Sequence, residues 1–277
     1  MQSLPLVTAF LTGLLVVPAT LTALRGRGAV RANHRGAPVA FPGGLAIVAA
    51  GLVALLPLAI TERVAGGVFA PDAAPALIYV LGVAALGWID DLAGSGASER
   101  GWRGHARATA TGRLSTGALK AAGALGLALF VLSPEGRSPL AYALAVLLLV
   151  LATNLFNLLD RRPGRSLKAL VLLGAGLTLG TLEVEPLWAL GLFLGPMLVM
   201  LPLDLRERGM LGDTGSNAVG AVAGLWLVLT LPAAGQAAAL ALILVITVYG
   251  EFRSISSLIE RVPLLRQLDS LGRTKHA

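Results

Sequence analysis

Nine apolar runs, each about long enough to cross the ~30 Å hydrocarbon core of a bilayer, divide the chain, and nearly all charged residues fall between them. The runs cover residues 4–24, 43–60, 74–90, 117–133, 139–158, 167–182, 186–203, 216–231 and 236–252. This pattern predicts an all-α polytopic membrane protein of about nine transmembrane helices. Several runs lie near the lower length limit, so one or two are expected to tilt or to be partly re-entrant. The first run, Leu4 to Leu24, has no basic residue before it and several after it. That order predicts a retained first span rather than a cleaved signal peptide.

The polar positions set the orientation. One set of alternate loops, with the tail after the last run, holds Arg25, Arg27, Arg31, Arg35, Arg100, Arg103, Arg107, Arg113, Lys120, Arg161, Arg162, Arg165, Lys168, Arg206, Arg208, Arg253, Arg261, Arg266, Arg273 and Lys275. The other set holds Arg63 and Arg137. Because Lys and Arg are retained on the cytoplasmic side, the N-terminus is expected outside and the C-terminus in the cytoplasm. Adding or removing one span would scramble that alternation.

Composition agrees with the pattern. Of 277 residues, 56% are hydrophobic and 13% charged, about half the charge of an ordinary soluble domain. The net charge of +7 would point to nucleic acid in a soluble chain. Here it follows from the basic bias of cytoplasmic loops, and no nucleic-acid partner is expected. The chain has no cysteine, which removes disulfide and thiol chemistry. The many Ala, Leu and Gly residues suit closely packed membrane helices.

Carboxylates next to a membrane are costly and draw attention as functional candidates. Three acidic clusters fall on the expected cytoplasmic side. Asp90 and Asp91 end the third run, where carboxylates oppose a helix C-terminal dipole and repel each other without a cation between them. Asn154, Asn157 and Asp160 close the fifth run at spacings of three, which places them on one helix face. Interhelical hydrogen bonding explains the two asparagines equally well. Gly212-Asp213-Thr214-Gly215-Ser216 precedes the eighth run. Its polar residues can cap that helix, and a glycine-rich helix start with an Asp beside it can also hold an anion and a cation. Three carboxylate sites amid many Arg and Lys residues suit Mg²⁺, with Mn²⁺ as an alternative, and phosphate groups. That combination is what phosphoryl transfer requires.

Taken in order, Asp90-Asp91, Asn154-x-x-Asn157-x-x-Asp160 and Gly212-Asp213-Thr214-Gly215-Ser216 resemble the polyprenyl-phosphate N-acetylhexosamine-1-phosphate transferase superfamily. Phospho-N-acetylmuramoyl-pentapeptide transferase belongs to that superfamily. Arg35-Gly36-Ala37-Pro38 with Pro42-Gly43-Gly44 is similar to its first cytoplasmic loop, and Lys120 falls where the family carries a lysine. The likeness runs from about residue 25 to residue 225. It implies a transmembrane catalytic domain over 1–252, an amphipathic cytoplasmic tail over 253–277, and a bacterial cytoplasmic membrane location with the active site facing inward. It implies transfer of a sugar-1-phosphate from a nucleotide sugar, UDP-N-acetylhexosamine in type, to a membrane polyprenyl phosphate. Asp213, Asp90 and Asp91 would be catalytic and would hold Mg²⁺. Arg35, Lys120, Asn154, Asn157, Asp160, Arg161, Arg162 and Arg165 would bind substrate. The expected partners are polyprenyl phosphate, the nucleotide sugar and membrane lipids, and a homodimer is compatible with this reading.

Three departures from the family stand out. Asp160 is followed by Arg161-Arg162-Pro163-Gly164-Arg165 rather than by glycine. A cytoplasmic histidine motif is missing; His34, His105 and His276 are scattered. The spans number nine, against ten or eleven in better-known members. A repurposed, inactive member that binds lipid or a partner is therefore the alternative, and a transporter fits less well because the charges gather at one surface rather than at the midplane. In the tail, Ile255, Leu258, Ile259 and Val262 recur at helical spacing, which predicts an amphipathic segment on the inner leaflet, broken at Pro263.

Overall fold

The computed structural model describes residues 1–93, 116–133 and 136–273. Arg100, Arg103, His105, Arg107, Arg113, Lys275 and His276 lie outside these residues. Nine long helices are present among the described residues: α1 (Leu4–Gly26), α2 (Gly44–Ala65), α3 (Ala73–Ala93), α4 (Thr116–Leu132), α5 (Pro139–Leu159), α6 (Arg165–Thr181), α7 (Glu185–Leu205), α8 (Gly212–Thr230) and α9 (Ala233–Phe252). Two short helices follow, α10 (Ile255–Arg261) and α11 (Pro263–Ser270). The tail breaks where expected, with Pro263 opening the new helix because it lacks the N–H that would continue the old one. Six helices, α1, α2, α3, α5, α7 and α9, are long and apolar enough to cross a membrane, and α4 is apolar but shorter. The protein is thus a helical membrane protein.

The bundle is organised around α8. Every residue from Thr214 to Val228 is buried, so this helix touches almost no lipid. It packs against α3 and α5 most extensively, while α1 lies along α7 and α2. Small residues make these approaches possible, as expected where lipid removes the hydrophobic drive between helices. A Cβ on Gly44 would collide with the backbone of Gly215, and one on Gly87 with the Asp213 carbonyl. Leucines and other large side chains on the outer faces, such as Leu56, Leu179 and Val245, remain exposed, which is the correct arrangement for a lipid solvent. A buried polar contact joins α3 to α5, where the Tyr79 hydroxyl meets Thr153 at 3.2 Å.

The described loops at one end of the bundle, the end holding the C-termini of α1, α3, α5, α7 and α9, form a polar cap. A hairpin of β1 (Val30–Ala32) and β2 (Pro38–Ala40) pairs antiparallel there. Its outgoing strand is fastened to the segment before α8: Met210 N–H donates to Ala40 O at 3.0 Å and Gly44 N–H to Leu211 O at 2.8 Å. The Asn33 side chain closes the hairpin turn by accepting from Arg35 and Ala37 N–H, both at 2.9 Å.

Candidate functional site

The start of α8 lies at the centre of the polar cap, and its geometry explains why. Gly212, with φ of +69°, lets the chain turn into the helix where a side chain would be strained and would come 2.7 Å from Asp91 Oδ2. The helix begins at Gly212, so Asp213 and Thr214 stand inside its first turn rather than before it. Neither can serve as the N-cap expected from the sequence, and Leu211 at that position supplies no side-chain acceptor. Asp91 of α3 provides the cap from across the interface. Its Oδ1 accepts from Asp213 N–H at 2.9 Å, and its Oδ2 accepts from Thr214 N–H at 2.9 Å and from the Thr214 hydroxyl at 2.7 Å. Asp91 is 8% exposed. The structure therefore gives Asp91 the work of holding a helix N-terminus, where a carboxylate is stabilised by free N–H groups and the dipole.

Asp90, one residue earlier, points elsewhere. Its Oδ2 lies 2.6 Å from Lys120 Nζ on α4, and the same ammonium is hydrogen-bonded to Asp213 Oδ2. The Thr116 side chain adds a hydrogen bond to Asp90. Asp90, Lys120 and Asp213 thus meet from three helices, although their positions are separated by up to 123 residues of sequence. All three are partly exposed, so the triad opens to the polar cap.

Among the described residues, no group of three or more His, Asp or Glu side chains is arranged to hold a metal ion. Mg²⁺, however, is commonly bound by one or two carboxylates with water and phosphate oxygens completing its shell. Asp90 and Asp213 supply that donor set, already converging on a cation, while three hydrogen bonds from the start of α8 occupy most of the acceptor capacity of Asp91. The chemistry of the pair fits Mg²⁺.

The fifth-span cluster is less united than its spacing implied. Asn154 is exposed and Asn157 half-buried, and among the described residues no hydrogen bond is made by either side chain. Asp160 follows the last residue of α5 and occupies its C-cap. Burial, and then the like charge of Asp204, hold the Asp160 carboxyl well above the usual carboxylate range. Arg161 is exposed beside it. Arg162 reaches Glu260 of the tail at 3.6 Å.

Arg165 departs most from expectation. It is 5% exposed and fully engaged: Nε and Nη2 donate to the two oxygens of Asp269 at 2.8 and 3.0 Å, and Nη1 donates to Ser256 at 2.8 Å. Arg273 grips the same carboxylate at 2.7 and 2.9 Å and donates to Pro163 O at 3.0 Å. Lys168 donates to the carbonyls of Leu268, Asp269 and Leu271 at the end of α11. Arg165 is therefore a tail anchor in this structure. The tail folds onto its own loops at the polar cap.

Arg35 pairs with Glu207 at 3.5 Å, and Asn33 donates to the same carboxylate at 2.7 Å. His34 beside it is held below its ordinary value by burial and then by the Arg162 charge. Three residues were not anticipated: Arg31, Asp204 and Glu207. Asp204, 3% exposed, accepts from Gly164 N–H at 2.8 Å and so fixes the loop that carries Arg161 and Arg162. It ends an apolar run on the basic side, which is the same signal that singled out Asp90.

No protein-family model matches the chain, and no curated protein matches it.

Proposed function

We propose that the chain is a multispanning sugar-1-phosphate transferase that acts on a membrane polyprenyl phosphate. The observation that carries this reading is the meeting of Asp90, Lys120 and Asp213 at a basic, loop-covered end of a membrane bundle. In this reading α1 to α9 are the nine spans. The segregation of 20 of 22 basic residues supports a polar cap that faces the cytoplasm of a bacterial cell, next to the nucleotide-sugar pool.

In the reaction, an oxygen of the lipid phosphate forms a bond to the β-phosphorus of the nucleoside diphosphate sugar. The bond from that phosphorus to the bridging oxygen breaks, and its electron pair leaves on the nucleoside monophosphate. The acceptor is a phosphate monoester, largely ionised at neutral pH, so no proton has to be removed first. Asp90 and Asp213 would hold Mg²⁺ (or Mn²⁺), which neutralises phosphate charge when bound. Lys120 offers its ammonium to a phosphate oxygen, and Asp91 keeps the α8 N-terminus and Asp213 in place. Arg161 and Arg162 stand where the donor is expected, on a loop held by Asp204.

A second reading is a member of the same architecture that binds lipid without turnover. It is favoured by the closed Asp90–Lys120–Asp213 triad and by the pairing of Arg162 and Arg165 with tail carboxylates, which leave fewer open cations. Incubation of the purified protein with polyprenyl phosphate, Mg²⁺ and a panel of nucleotide sugars separates the two. Release of nucleoside monophosphate that requires the lipid supports the transferase. Bound polyprenyl phosphate with no release from any donor supports the second reading.

A further inference from the structure

We propose that Arg31 is a phosphate-binding residue of this site, displayed on the ring of Phe41 and gripping the diphosphate of the donor. The inference deepens the transferase reading and rests on it for the identity of the ligand.

The guanidinium carbon of Arg31 lies 3.7 Å from the centroid of the Phe41 ring. That is a stacked cation–π arrangement, which holds the plane of the fork without using its donors. One Nη2 hydrogen is donated to the Asp91 carbonyl at 3.2 Å. Among the described residues this is the single hydrogen bond of a group that carries five N–H donors. Arg31 is exposed, which leaves its remaining donors open to a ligand.

Its place relative to the triad is fixed by two contacts. Asp91 directly follows Asp90, so the bond from Arg31 sets the guanidinium beside the turn that carries the Asp90 carboxylate. Phe41 lies against the start of α8, because a Cβ on Gly212 would come 2.9 Å from Phe41 Cε2. The ring is thus interposed between Arg31 and the residue preceding Asp213. Lys120 approaches the same two aspartates from α4. Lys120 thus touches both carboxylates, while Arg31 stands at the backbone of the turn that carries one of them. The ammonium spends two of its three donors on the carboxylates, whereas the fork over Phe41 spends one of five. A planar fork with spare donors matches two oxygens of a phosphate group, and a diphosphate bridged to the carboxylates by a divalent cation would present them.

Arg31 and Phe41 belong to the same hairpin connection, whose outgoing strand is fastened to residues 209–211. The fork and the metal-ligand Asp213 are thus set on two segments joined by backbone hydrogen bonds, which fixes their separation.

A purely structural role for Arg31 is to pin the hairpin to the last turn of α3. Arg31→Gln separates the roles, since an amide can still donate to the Asp91 carbonyl but has neither charge nor fork. The test is calorimetric binding of inorganic pyrophosphate and of UDP, with Mg²⁺, to the full chain in nanodiscs. Melting temperature without ligand is recorded in parallel for Arg31→Gln, Arg31→Lys and Phe41→Leu. The expected result is a loss of affinity of about tenfold or more for Arg31→Gln. Arg31→Lys should fall in between, Phe41→Leu should lose a few-fold, and the melting temperatures should be unchanged. If Arg31→Gln melts early, the decision passes to Arg31→Lys, which keeps the charge and a donor. Affinity within twofold of the parent in Arg31→Lys and Phe41→Leu, or in Arg31→Gln, overturns the proposal, as does a parent protein that binds neither probe. Arginine-dependent pyrophosphate binding without turnover of any nucleotide sugar would remove the transferase reading and leave the anion site standing.

Discussion

Replacing Asp269 with Ala is expected to release the tail without unfolding the bundle. Four N–H groups of two arginines converge on this carboxylate, two from Arg165 and two from Arg273, all at 2.7–3.0 Å. Arg165 is buried, and removing the anion leaves its charge in place with a single neutral partner, Ser256. Breaking one side of a buried pair costs about 3–5 kcal/mol. Asp269 and Arg273 are partly accessible, so the lower end, about 3 kcal/mol, applies. The penalty does not fall on the nine long helices, because the tail meets the bundle chiefly through these polar contacts and a narrow α9–α10 junction. It falls on the local opening of residues 255–273. Amide exchange measured on peptides from α10 and α11 reads that opening directly. At 1.4 kcal/mol per decade, about 3 kcal/mol is roughly a hundredfold faster exchange. Exchange in α10 and α11 within twofold of the parent would show that the clamp does not hold the tail. The same contact sets a pH dependence. Burial alone would raise the Asp269 carboxyl, but Arg165 and Arg273 outweigh it and hold the folded value below the usual carboxylate range. A depressed folded value contributes stability above the unfolded value and loses it as pH falls through the folded one. Tail protection should therefore be constant at neutral pH and decline only below about pH 4.

Three further outcomes are expected. Asp91→Ala removes three hydrogen bonds from the first turn of α8 and should lower stability by about 1–2 kcal/mol, read as an earlier melting transition in detergent; an unchanged transition would mean that α8 finds another cap. Lys120→Met leaves Asp90 and Asp213 facing each other without their ammonium, so nucleoside monophosphate release should fall by about a hundredfold or more, and activity near the parent level would remove Lys120 from the site. Gly174→Ala drives a methyl into the Trp226 ring and should destabilise the α6–α8 contact by about 1–3 kcal/mol, visible as a lower melting temperature and a shifted tryptophan emission; a variant identical to the parent in both would contradict the packing.

The helices were legible because most apolar runs are bounded by charge, and the last two by a Pro-Ala-Ala-Gly break instead. The expected run at 167–182 becomes α6 at 165–181, and the run at 216–231 becomes α8 at 212–230. The latter shift matters, because it carries Asp213 and Thr214 from a loop into a helical turn. Asp90, Lys120 and Asp213 could be picked out singly, since ionisable groups at a membrane edge are few. Their mutual contact could not, because it depends on how α3, α4 and α8 cross. The contacts of Arg165 were hidden for a related reason. Its partner, Asp269, lies 104 residues away in a tail whose apolar spacing pointed to lipid, and charge alone does not reveal which anion neutralises it. Arg31 was hidden among twenty basic residues on one side. Only the ring beneath it and the carbonyl beside it distinguish it from a topological charge.

The division of labour between Asp90 and Asp91 follows from helix geometry. Consecutive residues on an α-helix point about 100° apart, so adjacent carboxylates cannot both aim at one partner. The mutual repulsion that made the pair conspicuous in the sequence is relieved by two different positive ends, an ammonium for Asp90 and a helix N-terminus for Asp91. Gly87 lies one turn before Asp91 on the same face, and its missing Cβ lets α3 approach the Asp213 carbonyl. That close crossing brings the α8 amides within reach of a side chain as short as aspartate. A glutamate at 91 would push the crossing apart or lose the bidentate cap, and either change would move Asp213 relative to Lys120. Asp91 thus acts on the site through the position of α8, whereas Asp90 acts through its own oxygens, and the two neighbours serve the same centre by separate physical routes.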